Sequence, residues 1–316
     1  MTVMTSPQPP SGHEVKEYVL ENGSEILPLN LDDEIREIIA KALHEDKGDG
    51  DITTIATIPP NRKGAARVFA KATGVLCGTQ IFMEVYRQVN QSVEVKCWAR
   101  EGQTISPGRT IFTLDGPMGA ILTGERVALN FLGILSGVST TTSEHVKAVR
   151  HTKARITDTR KTTPLYRRLQ KYAVRVGGGV NHRHGLYDMM VIKDNHIDSC
   201  GGILMAVNAA KKRWGNTFKI EVETRDMDEV REAIQAGVDR IMLDNMDVDA
   251  MTEAVRIIDG RAETEASGGI NLNMVSFVAE TGVDYISIGA LTHSTKCIDF
   301  SLVLDRQRTK SQNQSS

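Results

Sequence analysis

The sequence has few of the features that mark a secreted, metal-binding or membrane protein. Its four cysteines, among 316 residues, are isolated, and none is paired at metal-ligand spacing. This favours a reducing compartment over a disulfide-bonded fold. The first residues have no basic and apolar leader pattern, and no apolar run approaches the ~20 residues of a membrane span. We therefore expect a cytoplasmic protein that does not enter a membrane.

The chain also lacks the excess of positive charge that a nucleic-acid-binding protein usually carries. Its 38 lysines and arginines are offset by 40 acidic residues, for a formal net charge of -2. One stretch, residues 156–198, is nevertheless rich in cations and contains the triplet Gly177–Gly179. Arginine offers a planar fork for carboxylate or phosphate, and lysine offers a point charge. A basic cluster in a neutral protein predicts a pocket for a small polyanion.

The first half of the chain has the pattern of a small α+β domain. Residues 1–29 are rich in Pro, Ser, Gly and Glu and are predicted to be a mobile tail. Leu31–Leu43 has a helical stripe of apolar residues. From Arg62 to Asp115, strand-like segments punctuated by glycine are interrupted by one helix at about Thr79–Val89. A long helical region follows from Gly119 to about Arg150, with a predicted break near Gly133 and Gly137, and we expect the domain boundary at that break.

The second half repeats a short apolar strand, a polar strand end and an amphipathic helix. This alternation predicts parallel strands with right-handed crossovers, in a closed or nearly closed α/β barrel. In such barrels the active site lies at the C-terminal strand ends. The predicted strands are Ile156–Thr159, Met189–Ile192, Lys219–Thr224, Arg240–Leu243, Ala262–Ala266 and Asp284–Ile288.

The residues at these strand ends change in character along the chain. Cations follow the early strands, carboxylates the middle ones and small residues the late ones. Glu223 and Asp244 could hold ribose hydroxyls or Mg²⁺, which prefers carboxylate and phosphate oxygens. Ser267-Gly268-Gly269 fits a phosphate site, because glycine lets backbone N–H groups approach the ligand.

Several motifs, in one order along the chain, resemble a known family. They are Thr159–Pro164, Gly177–Leu186, Ile192–His196, Glu221–Glu223, Leu243–Asn245, Glu265–Ile270 and Ile288–Ser294, preceded by Asp51–Thr54 and Gly124–Asn130. These runs closely resemble quinolinate phosphoribosyltransferases, and the resemblance covers residues from about 30 to 310.

The resemblance implies the activity, fold and assembly. The expected reaction converts quinolinate and phosphoribosyl pyrophosphate, with Mg²⁺, to nicotinate mononucleotide, CO₂ and pyrophosphate in de novo NAD biosynthesis. The expected fold is α/β: an incomplete (open) α/β barrel with an N-terminal α/β sandwich domain. It implies a homodimer whose partner chain completes each active site, and a hexamer is left open. The implied division is a tail at 1–29, the sandwich at 30–137, the barrel at 138–295 and a segment at 296–316 that returns to the first domain.

The resemblance also implies residue roles. Those that grip the quinolinate carboxylates are Arg160, His182, Arg183 and Lys193, with Arg126 reaching in from the partner subunit. Lys161 faces phosphoribosyl pyrophosphate, Glu223 and Asp244 lie near its ribose and the metal, and its 5-phosphate end lies at Ser267, Gly268, Gly289 and His293. Thr159 and Gly269 complete the predicted substrate-binding set. The expected catalytic residues are Lys161, Lys193, Glu223 and Asp244, and the expected metal ligands, acting directly or through water, are Glu223 and Asp244.

Three other functions remain open from the sequence. A related phosphoribosyltransferase could act on another acid, although a monoanion needs fewer cations than this set provides. A Schiff-base lyase could use Lys161 or Lys193 as its nucleophile. A ligand sensor without activity could have kept the same pocket.

Overall fold

A computed structural model describes residues 28–305, together with the backbone of Tyr18–Val19 and Glu25–Ile26. Most of the predicted mobile tail at residues 1–29, and the end of the chain after Asp305, lie outside the described residues. The chain divides into two compact units, one formed by residues 1–140 with 296–316 and the other by residues 141–295.

The first unit is built around an antiparallel sheet with strand order β14-β3-β7-β5. Its last strand comes from the far end of the chain, where Phe300 is paired with Ala70 and Leu304 with Ala66. The strands of the unit are β1 Tyr18–Val19, β2 Glu25–Ile26, β3 Lys63–Ala70, β4 Gly74–Val75, β5 Glu94–Cys97, β6 Thr104–Ile105, β7 Thr110–Pro117 and β14 Phe300–Leu304.

Local signals start the helices of this unit. They are α1 Asp33–Lys47, α2 Ile52–Thr57, α3 Thr79–Val89 and α4 Met118–Val149, whose last residues, 141–149, belong to the second unit. The Asp32 side chain accepts from the Ile35 N–H at 3.2 Å and caps α1. The buried carboxylate of Glu101 accepts from the Gly78 and Thr79 N–H groups at 2.6 and 3.1 Å and so satisfies the start of α3. The helix expected at Thr79–Val89 is confirmed.

The predicted break in the long helix is wrong, because α4 is continuous from Met118 to Val149. Its glycines serve close approach instead. A Cβ on Gly133 would lie 2.8 Å from the Ile298 carbonyl oxygen, and the Ile298 N–H donates to the Gly133 carbonyl at 3.0 Å. By length and composition α4 could cross a membrane, and 56% of its most apolar window is buried. A buried core helix passes the same test, so this is weak evidence against the expectation of no membrane span.

The second unit contains one six-stranded sheet, and every pairing in it is parallel. The order is β8-β13-β12-β11-β10-β9, so that β8 and β9 are the two edge strands. The strands are β8 Arg155–Thr157, β9 Met190–Ile192, β10 Ile220–Thr224, β11 Arg240–Asp244, β12 Glu263–Ser267 and β13 Tyr285–Ser287. All six predicted strands are present, with ends that differ by at most two residues.

Seven helices of the second unit connect or follow these strands in the described residues. They are α5 Arg167–Val176, α6 Asp194–Cys200, α7 Ile203–Trp214, α8 Met227–Ala236, α9 Val248–Ile258, α10 Val275–Glu280 and α11 Ala290–His293. Asp226 caps α8 by accepting from the Asp228 and Glu229 N–H groups, both at 3.0 Å, and Asp247 caps α9. The sequence predictions gave no bounds for α5, α6 or α7.

Candidate active site

The parallel sheet brings most of the predicted site residues to one edge. Thr159–Lys161 follow β8, Lys193 follows β9, and Gly289 follows β13. Glu223 lies in β10, whereas Asp244 and Ser267 end β11 and β12 and are direct register partners. Because parallel strands present their C-terminal ends at the same edge, these residues follow the strand order: the cations after β8 lie next to Gly289, then come Ser267, Asp244 and Glu223, and Lys193 follows the other edge strand.

Strand periodicity places a second set of charged residues beneath this edge. Glu221 precedes Glu223 by two residues and Glu265 precedes Ser267 by two, so each pair shares one face of the sheet. Glu221 is the register partner of Arg240. The Glu221 and Glu265 side chains are fully buried, and Arg240 is nearly so. The sequence motifs include Glu221 and Glu265, but the predicted site set gave no role to these glutamates or to Arg240, although the alternation of glutamates in β10 and β12 was a readable signal.

Lys193 and Glu223 form a direct ion pair at the strand ends. The Lys193 side chain is 44% exposed and the Glu223 side chain is 12% exposed, so the pair lies at the mouth of the site. Two residues predicted to serve different substrates are therefore held together. A ligand carboxylate that binds Lys193 would compete with Glu223 for the ammonium.

Asp158 and Lys171 form a fully buried ion pair. Asp158 also accepts from Asn181 Nδ2 at 2.6 Å and from the His182 N–H at 2.9 Å, and Lys171 Nζ donates to the His182 carbonyl at 3.0 Å. Burial raises the pKa of Asp158 and lowers that of Lys171, and the attraction between the two charges opposes both shifts. The pair fixes the backbone that carries His182 and Arg183.

The His182 ring is directed at the buried carboxylates. Its Nε2 lies 3.0 Å from Glu221 Oε2 and 3.5 Å from Glu265 Oε2. Arg240 donates to Glu265 at 2.9 Å from the opposite side. Burial lowers the pKa of His182, but the two carboxylates outweigh it and raise the pKa to about 9. Both ring nitrogens face protein groups, since the Arg183 N–H donates to Nδ1 at 2.8 Å.

Two arginines from the segment between β8 and β9 make that part of the site strongly positive. Arg160 Nε is buried with no hydrogen-bond partner among the described residues. Arg183 donates from one terminal nitrogen to the Met189 carbonyl at 3.0 Å, and its pKa is lowered by burial and by the nearby Arg160 charge. An open cavity of about 700 Å³ borders Arg183 and runs along β9 past Met190 and Asn195. An anion that binds here would relieve the repulsion between the two guanidinium groups.

Two glycines that follow β12 and β13 allow close approach of the backbone at that part of the site. Gly268 has φ +101°, and a Cβ there would lie 2.8 Å from the Asn245 backbone nitrogen. A Cβ on Gly289 would lie 3.0 Å from Lys161 Cδ and 3.2 Å from His293 Nε2. Lys161 and His293 are therefore brought to the same backbone turn, and their positive or hydrogen-bonding groups face a position where backbone can approach a phosphate.

Three further predicted residues, Thr159, Gly269 and Arg126, make few contacts that bear on a substrate. Thr159 Oγ1 accepts from the Lys161 N–H at 3.0 Å and shapes the turn after β8, and Gly269 is exposed with φ +60°. Arg126 lies in the first unit on α4; its side chain is 63% exposed, and it lies 4.0 Å from Glu125.

The carboxylates offer two places for a divalent metal. Within the described residues, the tightest set of ligand atoms is not the predicted pair but His182, Glu221 and Glu265, whose atoms lie within 4.8 Å of one another. Arg240 already binds Glu265 there, and an imidazolium would balance the second carboxylate. The predicted ligands Glu223 and Asp244 lie closer to the C-terminal ends of the adjacent strands β10 and β11. Asn245 Nδ2 donates to Asp244 at 2.7 Å. Oxygen ligands next to a phosphate site suit Mg²⁺ better than the buried set does.

Comparisons with known proteins agree with this arrangement. The family models for the N-terminal and C-terminal domains of quinolinate phosphoribosyl transferase match residues 51–136 and 138–303. A protein of Nicotiana tabacum named quinolinate phosphoribosyltransferase (decarboxylating) 2b, mitochondrial, is 40% identical over 87% of this chain and 83% of its own length.

Solved structures give the same result. The nicotinate-nucleotide pyrophosphorylase of Francisella tularensis superimposes with a TM-score of 0.82 at 40% identity, over 86% of this chain and 96% of that one. NadC of Streptococcus pyogenes gives a TM-score of 0.85 at 37% identity, over 88% and 99%. The α/β fold with a parallel sheet and the predicted family are thereby confirmed, and the chain belongs to the quinolinate phosphoribosyl transferase family.

Proposed function

We propose that this protein transfers the phosphoribosyl group of phosphoribosyl pyrophosphate to quinolinate and releases CO₂ and pyrophosphate, giving nicotinate mononucleotide for NAD biosynthesis. The observation that carries the proposal is the division of one sheet edge into a positive side at Arg160, Arg183 and Lys193 and a glycine-lined side at Gly268 and Gly289. A dianionic ring and a phosphorylated sugar need these two surroundings next to each other.

The positive side suits an acid with two carboxylates. Quinolinate and phosphoribosyl pyrophosphate are both anionic, and their mutual repulsion in a partly dry pocket must be offset by fixed cations. Arg160 follows β8, Arg183 lies in the segment that leads to β9, and Lys193 follows β9. The two arginines can each offer a planar fork, and Lys193 a point charge. Burial and the nearby Arg160 charge lower the pKa of Arg183, and binding of a dianion would oppose the contribution of Arg160.

The glycine-lined side suits the phosphorylated sugar. Backbone at Gly268 and Gly289 can approach a 5-phosphate, with Ser267, Gly269 and His293 beside it and Lys161 facing the pyrophosphate. Glu223 and Asp244 then lie where the ribose would be. As the ring nitrogen attacks C1 and pyrophosphate leaves, positive charge develops on the ribose, and fixed carboxylates can stabilise that charge.

Decarboxylation follows from the new bond. The ribosylated ring nitrogen is cationic, so loss of the neighbouring carboxylate as CO₂ leaves on the ring carbon an electron pair that this cation stabilises. That carbon then takes up one proton from solvent to give nicotinate mononucleotide. Neither a covalent nucleophile nor a redox group is needed, and the rate comes from positioning and electrostatics. Glu223 and Asp244 would hold Mg²⁺, directly or through water. When bound, Mg²⁺ neutralises charge on the leaving pyrophosphate.

The assembly, domain architecture and location belong to the same proposal. We infer a homodimer in which Arg126 reaches the partner's site, with a hexamer left open. The first unit corresponds to an α/β sandwich and the second to an incomplete barrel, since β8 and β9 are both edge strands, with the domain limits given above. The cytoplasmic location stays a prediction, because the name of the tobacco relative places that protein in mitochondria.

The test is turnover of quinolinate with phosphoribosyl pyrophosphate and Mg²⁺, with nicotinate in parallel. We expect CO₂ and pyrophosphate in equal amounts from quinolinate and little product from nicotinate. Equal turnover of nicotinate would show that the second carboxylate has no role. Borohydride trapping with carbonyl substrates separates the lyase alternative, which the Lys193–Glu223 pair disfavours because Glu223 occupies the ammonium. Binding of both substrates without turnover would indicate the sensor.

A further inference from the structure

His182 contacts buried protein groups through both its backbone and its ring. Its backbone N–H donates to Asp158, and its carbonyl accepts from Lys171. Its ring Nε2 faces Glu221 and Glu265, and its Nδ1 accepts from the Arg183 N–H. A residue that only touched a substrate would not need so many internal contacts, so the ring has a second use within the protein.

A pair of apolar residues would stabilise the fold better than Glu221 and Glu265 do. Both side chains are fully buried on the interior face of the sheet, where an unpaired carboxylate is costly. Arg240 bridges Glu265 and Glu263 through contacts of 2.9 and 3.0 Å. Within the described residues, the cation that lies within 4 Å of Glu221 is His182.

The same contacts link the ring to Arg183. The Arg183 N–H lies 2.8 Å from Nδ1 and can donate to it while the ring is neutral. A charged ring carries a proton on each nitrogen, and the attraction of its Nε2–H for Glu221 and Glu265 outweighs the one neutral hydrogen bond that Nδ1 then gives up. The hold on the ring therefore controls the backbone from which the Arg183 guanidinium extends towards the predicted quinolinate carboxylates.

We propose that Glu221 and Glu265 are positioning residues: they fix the His182 ring through Nε2 and, through the His182–Arg183 backbone, place the Arg183 guanidinium for quinolinate. This inference rests on the proposed function, because it names the substrate whose binding would suffer. The charged groups that face His182 come from every surrounding element; they are Asp158, Lys171, Arg183, Glu221, Arg240 and Glu265.

The decisive variant is Glu221→Gln, which keeps the size of the side chain and removes its charge. We expect the KM for quinolinate to rise about tenfold or more, as for a lost charged contact. The KM for phosphoribosyl pyrophosphate should stay within about twofold of the wild type. The matched control is Glu263→Gln, which alters a glutamate on the same face that binds Arg240 and Lys219. The control should leave the KM for quinolinate unchanged.

A pH profile distinguishes positioning from a merely structural effect. In the wild type, quinolinate use should fall as the pH passes about 9, where His182 loses its charge. In Glu221→Gln one of the two raising carboxylates is gone, so this alkaline limb should move to lower pH. Glu221→Asp keeps the charge and should keep the limb while the KM for quinolinate still rises, because its carboxylate lies further from the ring.

Several results would overturn the proposal. One is a Glu221→Gln variant whose KM for quinolinate and whose fall of activity at alkaline pH match the wild type. Others are an equal rise in the KM for quinolinate and for phosphoribosyl pyrophosphate, or the same rise in the KM for quinolinate in Glu263→Gln. A stoichiometric bound metal that disappears in Glu221→Gln would also overturn it. If Glu221→Gln does not fold, Glu221→Asp carries the KM comparison. NMR titration of the wild-type His182 ring needs no variant: titration near pH 6.5 would contradict the hold, and titration near 9 would support it. Because this titration does not require turnover, it still decides if the proposed reaction fails.

Discussion

Replacement of Lys171 by methionine should destabilise the second unit strongly. Lys171 and Asp158 are both fully buried, and Lys171→Met leaves the Asp158 carboxylate with the Asn181 amide and the His182 N–H as its neutral donors. Removing one partner of a buried ion pair costs about 3–5 kcal/mol. For a unit of this size each kcal/mol lowers the Tm by about 2–4 °C, so we expect a fall of about 6–20 °C.

The assay is thermal unfolding followed by circular dichroism, at several pH values. Without Lys171 the pKa of Asp158 should rise further, because burial raises it and the cation that opposed burial is gone. A carboxyl with a raised folded-state pKa favours the native state when protonated, so the loss should shrink as the pH falls through that pKa. Lys211→Met is the control, since Lys211 donates to the Ala236 and Gly237 carbonyls instead of forming a buried pair. A Tm of Lys171→Met within about 2 °C of the control would refute the reasoning.

Three further predictions concern the site. Gly268→Ala should raise the KM for phosphoribosyl pyrophosphate and lower the free energy of unfolding by about 1–3 kcal/mol, because a Cβ would meet Asn245. The control is Gly260→Ala, where φ is +70° and nothing lies near the Cβ, so only the strain of the backbone should be seen. Equal effects of the two variants would contradict the packing argument. Arg160→Ala should lower kcat/KM for quinolinate about a hundredfold with little change in Tm, and a wild-type kcat/KM would sink the assignment. An equal mixture of Arg126→Ala and Lys161→Ala subunits should regain about a quarter of wild-type activity if sites are shared in a dimer, since half of the dimers would contain one intact site; no recovery would place Arg126 outside the partner's site.

The part of the site that the sequence predicts well is the part at strand ends. Lys193, Glu223, Asp244 and Ser267 could be placed because a strand end follows directly from apolar periodicity, and parallel strands align their ends. Gly133 was misread for a physical reason. It reads locally as a helix breaker, whereas in the fold it admits the Ile298 backbone against α4.

The part that could not be predicted depends on partners distant in sequence. Asp158 is followed by Thr159 and Arg160 and reads as another polar strand-end residue, but it is fully buried against Lys171. The pairing depends on α5, which the analysis of the sequence did not identify, because that segment is highly charged and reads as a loop. Glu221 and Glu265 are 44 positions apart and become neighbours only through the shared face of three adjacent strands.

The charged interior of the sheet also bears on how the chain finds its fold. Shifting a strand by one residue turns every side chain to the opposite face. In β12 such a slip would move Glu265 away from Arg240 and His182, and it would turn the small residue Ala266 towards them. A misregistered sheet would thus place a charge among apolar neighbours. This costs free energy that an all-aliphatic β-strand would not lose. The same glutamates that we assign to quinolinate recognition can therefore act earlier, as a check on correct strand alignment during folding.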